Sequence, residues 1–128
     1  VRVLLDTHAL LWAILSPRAL SRRAATLIAD QANDILVSAA SAWEIATKVR
    51  IGKLEGAEVL ERDFLDVMDD AGYSMLPIDA ACALRAGRFT GNHRDPFDRV
   101  LAAQALAEDI PILSRDSILD TFGVRRLW

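Results

Sequence analysis

Four acids set out the chemistry this sequence offers. Asp6, Glu44, Asp98 and Asp116 each stand just after a short apolar run, or in the first turns of a helical pattern that follows one. If those runs are parallel strands, their carboxyl ends share the sheet edge at which open α/β folds bind ligands. Four carboxylates gathered in a small concave site repel one another, so either some keep their protons or the cluster holds cations. Oxygen donors, with Cys82 as the one cysteine, favour a hard cation such as Mg²⁺ or Mn²⁺ over zinc. Two such ions about 3.5 to 4 Å apart can position an attacking water and steady the leaving oxygen of a phosphodiester, which is metal-assisted nuclease chemistry. Each acid also has an ordinary use. Asp6 fits a helix N-cap, and Glu44 fits either a capping box with Ser41 or an ion pair with Lys48 one turn on.

The elements that must position these acids follow from the apolar pattern. Val1, Val3, Leu4 and Leu5 form a nearly continuous run, the mark of a strand buried on both faces, and Asp6-Thr7 turns it into a helix carrying Ala9, Leu10, Trp12 and Ala13. Ser16-Pro17 predicts a turn and Ser21 the cap of a second helix facing inward through Ala24, Leu27 and Ile28. Ile35 to Val37 reads as a second strand ending at Ser38. The next helix, Ala39 to Arg50, has an apolar stripe at Ala42, Ile45, Ala46 and Val49, which puts Glu44 nearly opposite, toward water or a cleft. Gly52 fits a left-handed helix end. One helix is expected from Ala57 to Ala71, burying Leu60, Phe64, Val67 and Met68, with its acids on a solvated face.

A third strand spans Ser74 to Ile78, where Pro77 implies a strand end or an edge. Asp79 caps a short helix, Ala80 to Ala86, that Gly87 closes, and Arg88 to His93 is a loop. Asp95 caps and Pro96 opens the helix behind Asp98, which is apolar almost all round and therefore buried. Pro111 to Leu113 is a further buried strand with Ser114-Arg115-Asp116 at its end. Ser117 to Phe122 is a short helix, and Val124 to Trp128 a last, more polar edge strand.

At 128 residues and 52% hydrophobic composition, the chain has the size of one globular domain with a real core. Its longest apolar run, Ala9 to Leu15, is far short of the ~18 residues a membrane span needs, and Asp6 and His8 interrupt a signal-peptide pattern. No disulfide framework is available, and a cytoplasmic location is expected. The net charge of −3 argues against a protein that merely coats nucleic acid, yet setting four acids aside in a metal site leaves +1 and frees the arginines for phosphate.

Asp-Thr-His-Ala-Leu-Leu-Trp at 6–12, Ser-Ala-Trp-Glu-Ile-Ala-Thr-Lys at 41–48 and His-Arg-Asp-Pro-Phe-Asp-Arg-Val-Leu-Ala-Ala-Gln-Ala at 93–105 resemble the signature segments of the PIN domain, and within it of the VapC-type toxins of bacterial toxin–antitoxin pairs. The resemblance runs over nearly the whole chain and keeps the order and spacing of the acids. It implies a single domain over residues 1–128, a three-layer α/β/α sandwich around a central, mainly parallel sheet of four to five short strands. It further implies an Mg²⁺- or Mn²⁺-dependent endoribonuclease holding two ions per site, a homodimer, and a small cognate antitoxin lying across the acidic cleft. The family's metal-binding and catalytic acids carry over onto Asp6, Glu44, Asp98 and Asp116. Asp95 precedes the same helix as Asp98 and is given the cap. Thr7 and Ser114 would orient carboxylates by hydrogen bonds. Arg94, Arg99 and Arg115 adjoin the acids and could bind substrate phosphate or neutralise the acids.

The loop Arg88 to Asn92 departs from the Leu-Pro-containing sequence of the family, which bears on substrate contacts more than on metal binding. His8 and His93 read as solvated or helix-end histidines, and Trp12 and Trp43 as core or dimer-interface residues more than base-stacking platforms. Two competing functions remain. One is a non-catalytic module of the same fold that holds RNA or protein; the other is a phosphatase with Asp6 as nucleophile, whose pattern wants a second Asp where His8 stands.

Overall fold

A computed structural model describes residues Val1 to Trp128. Five short strands, β1 (Arg2–Leu5), β2 (Asp34–Ser38), β3 (Ser74–Leu76), β4 (Ile112–Leu113) and β5 (Arg126–Leu127), form one sheet in the order β3-β2-β1-β4-β5. Every neighbouring pair is parallel, with Leu5 opposite Val37 on one side and Leu113 on the other. The apolar runs alternate between two cores. Val3, Leu5, Ile35 and Val37 point into one, while Leu4, Leu36 and Ile112 point into the other. Both faces of the sheet are therefore covered, giving the three-layer sandwich expected.

The first core is closed by α1 (Thr7–Leu15), α2 (Arg22–Ala29), α3 (Ala39–Arg50), α4 (Glu58–Arg62) and α5 (Phe64–Ala71). The second is closed by α7 (Pro96–Glu108), through Leu101 and Ala105, and by a 3₁₀ turn at Ser117–Phe122. The remaining helix, α6 (Ala80–Arg88), packs against α7. Caps fall where short polar residues precede the helices: Ser21 accepts from the Ala24 amide at 3.0 Å and Asp79 from the Cys82 amide at 2.8 Å. No helix is long and apolar enough to cross a membrane.

Several local expectations are corrected. The helix expected over Ala57–Ala71 is two, broken at Asp63, whose φ −105° and ψ 25° leave the helical range; Leu60, Phe64 and Met68 stay buried on either side of the break. The cap of α3 is Ser38, bonded to the Ala40 amide at 2.9 Å, so Ser41 lies inside the helix and forms no capping box. Ala46 is exposed. α6 runs through Gly87 to Arg88, because Arg99 supplies donors to the carbonyls at that end. A polar clamp escaped sequence reasoning altogether: buried Gln104 accepts from the Ser38 hydroxyl and donates to the Leu76 and Pro77 carbonyls at 3.4 and 3.2 Å, tying α7 to the ends of β2 and β3.

Candidate active site

The strand order turns back at β1: from it the chain steps outward to β2 and β3, then returns to lay β4 on its other side. In parallel sheets such a reversal opens a crevice beyond the strand ends. Asp6 follows β1 and Asp116 follows β4, and both line one cavity of about 330 Å³ with His8, Trp12 and Arg115. Asp6 also caps α1, its Oδ1 accepting from the Ala9 amide at 2.7 Å, so capping and site placement are compatible. It is 5% exposed, and burial pushes its carboxyl above the usual range against the opposing Ser114 hydroxyl and Ala9 amide, with the charge of Glu44 adding to the rise.

Glu44 is 4% exposed, withdrawn from water, and Lys48 Nζ donates to its Oε2. Asp98 lies in the first turn of α7, behind the Asp95 cap that accepts from the Phe97 and Asp98 amides at 2.9 and 3.3 Å. Burial, reinforced by the charge of Asp95, pushes the Asp98 carboxyl up to about 6; the bond from His93 opposes this and Glu44 adds to it. Asp116 and Asp6 share one cavity, and the charge of Glu44 adds to the rise of both the Asp6 and the Asp98 carboxyls.

No three histidine, cysteine or acidic side chains close on a common point. Each carboxylate is occupied by a local partner: Ala9 for Asp6, Lys48 for Glu44, His93 for Asp98 and the Ile118 amide, at 3.1 Å, for Asp116. The donor chemistry nonetheless fits a hard divalent cation, because the set is oxygen-only.

Among the other expected residues, Ser114 lies between Asp6 and Asp116, its hydroxyl accepting from the Asp116 amide at 3.0 Å. Thr7 does not orient a carboxylate; its hydroxyl pairs with that of Ser41 at 2.9 Å and pins α1 to α3. Arg99 is turned away from phosphate duty: its guanidinium donates to the carbonyls of Ala86, Gly87, Phe89 and His93, closing the loop before α7. Arg94 and Arg115 are exposed. His93 is more than the solvated residue expected, since Nε2 lies 2.9 Å from Asp98 Oδ2 and the ring stands edge-on to Phe122. Its five-residue offset across a loop gives no periodic signal. Trp43 is 57% exposed and meets Phe97 edge-on, so it is not core.

A parallel α/β/α sandwich with an acidic crevice at its switch point defines a class of α/β domains whose ligand site lies beyond the strand ends. The chain belongs to one family within it: the PIN domain family matches residues 3–124. Over 55 residues it is 46% identical to Ribonuclease VapC16 of Mycobacterium tuberculosis, a match spanning 43% of this chain and 39% of that protein's length. Solved structures with the same fold include VapBC2 from Rickettsia felis bound to a promoter DNA fragment (TM-score 0.67, 17% identity, 99% of this chain and 98% of that one). FitAB bound to the IR36 DNA fragment is similar too (TM-score 0.66, 17% identity, 98% and 93%), as is VapBC-1 from nontypeable Haemophilus influenzae (TM-score 0.65, 16% identity, 99% and 97%).

Proposed function

We propose that this PIN domain is a divalent-metal-dependent endoribonuclease, the toxin of a toxin–antitoxin pair, that hydrolyses RNA phosphodiesters with Asp6, Glu44, Asp98 and Asp116. The observation that carries this reading is two carboxylates, Asp6 and Glu44, buried at the switch-point edge beside a third, Asp98, that holds its proton up to about pH 6. Carboxylates withdrawn from water, as Asp6 and Glu44 are, are costly to keep charged, and sites that tolerate this are commonly functional. The name of the M. tuberculosis relative supports a ribonuclease, and the VapBC and FitAB structures support a partner protein.

Mg²⁺ or Mn²⁺, two per site and held among these four acids, would supply an acidified water and positive charge for the departing oxygen. The chain's own residues prepare the site. The Ala9 amide and Ser114 fix Asp6, Lys48 holds Glu44, and His93 orients Asp98 through Nε2. Asp116 is the most solvent-exposed of the four and faces incoming RNA. Arg115 and Arg94 are the exposed cations available to phosphate, whereas Arg99 is committed to backbone carbonyls.

Cleavage of single-stranded RNA in Mg²⁺, Mn²⁺ or EDTA, by the wild-type chain and Asp6→Asn, tests the reading. Cleavage with either metal and background in EDTA or with Asp6→Asn is expected; cleavage that survives both rejects a metal mechanism. A second reading, a non-catalytic RNA- or protein-binding module, is favoured by the Lys48–Glu44 pair, which neutralises one acid without a metal. Retained RNA binding with no cleavage in either metal would select it.

An apolar groove lined by Ala42, Ile45, Ala46, Phe64 and Leu65, with Leu65 70% exposed, supports a protein partner on α3 and α5. A homodimer and a small antitoxin are the partners this reading implies, and an RNA target implies a cytoplasmic location. Light scattering of the isolated chain, where a monomer at all concentrations contradicts the homodimer, checks the first.

A further inference from the structure

The crevice between β1 and β4 is only half acidic. Asp6 and Asp116 line it together with His8, Trp12 and Arg115. Trp12 is clamped, its ring 5.6 Å from Trp128 and 5.7 Å from His8, so its indole is fixed before any ligand arrives. Arg115 is exposed and, unlike Arg99, Arg125 and Arg126, makes no side-chain hydrogen bond or ion pair, although it adjoins Asp116. A fixed aromatic surface beside an uncommitted guanidinium is how single-stranded nucleic acid is gripped: the base stacks and the backbone phosphate is paired. Trp43, the more exposed ring, meets Phe97 edge-on and does not line this cavity.

We propose that this crevice is the seat of one nucleotide next to the scissile phosphate, its base lying against Trp12 and its phosphate paired with Arg115. The proposal rests on the ribonuclease reading and deepens it by assigning the residues that grip the strand. The cavity, about 330 Å³ and open to solvent, has room for one nucleotide beside the acids. Trp12 and Arg115 set where the strand lies relative to Asp6 and Asp116, and therefore which bond is presented.

The test is anisotropy of a labelled single-stranded RNA dodecamer with Ca²⁺ in place of Mg²⁺, across a salt series, paired with cleavage kinetics in Mg²⁺. Trp12→Leu is expected to weaken binding by roughly five- to a hundredfold, the span of one lost base stack, while Trp12→Phe binds like wild type. Arg115→Gln is expected to weaken binding and lower the slope of log affinity against log salt by about 0.7, one phosphate contact on a single strand. Trp43→Leu should bind as wild type. Arg115 is exposed, so its variant folds even if Trp12→Leu loosens the contact with Trp128.

Trp12→Leu and Arg115→Gln that bind and cleave single-stranded RNA as wild type does would overturn the nucleotide seat while leaving the ribonuclease reading intact. Loss of a protein partner by these variants, with RNA affinity unchanged, would overturn it in favour of a protein-binding crevice. A wild-type chain that neither binds nor cleaves RNA would overturn both readings.

Discussion

Asp98 and Asp95 sit three residues apart at the head of one helix and do different work. Asp95 spends its Oδ1 on two backbone amides, whereas Asp98 turns to His93 and shares its surroundings with Glu44. Asp95→Ala is therefore expected to lower stability by about 1 kcal/mol, read by urea unfolding, while Asp95→Asn, which also caps, changes little. For Asp98 the native carboxyl binds its proton more tightly than in the unfolded chain, where 3.8 is the ordinary value, so its contribution to stability is full below about 3.8 and is lost as pH rises through about 6. In EDTA, the difference in Tm between pH 5 and pH 7 should shrink in Asp98→Asn, because an amide carries no such penalty. An undiminished difference would mean that the buried charge lies elsewhere.

At the scale of elements, the sequence was most legible where one residue type admits one role. Strands β1 and β2 are readable because parallel strands covered on both faces must be apolar throughout, and Asp6, Ser21, Asp79 and Asp95 are readable as caps because short polar side chains compete for free amides. The break at Asp63 is not legible, since Leu60, Phe64 and Met68 keep one helical period across it. Arg99 is not legible either, as its carbonyl partners lie six to thirteen residues upstream across a loop, a placement only the folded chain creates. Its function is mechanical: it holds the segment that carries His93. Arg99→Leu is expected to raise amide hydrogen exchange between Gly87 and Asp95 before it affects β1 or β2, and unchanged exchange there would remove the clamp.

Over the whole molecule, a sheet order that reverses at β1 brings Asp6 and Asp116, 110 positions apart, to one cavity, and the charge of Glu44 reaches both Asp6 and Asp98. The edge is legible in the sequence; the distances along it are not, because they depend on Lys48, His93 and backbone amides that occupy the carboxylates one by one. The central claim is that these acids form one cation site. Calorimetric titration of Mn²⁺ into the metal-free wild-type chain and into Asp6→Asn, at pH 7 and pH 5, tests it most directly. The account predicts saturable binding by the wild type that is weaker at pH 5, since ions must displace the Asp98 proton, and loss of binding in Asp6→Asn. A wild-type chain that binds no Mn²⁺, or an Asp6→Asn chain that binds it as tightly, would contradict the claim.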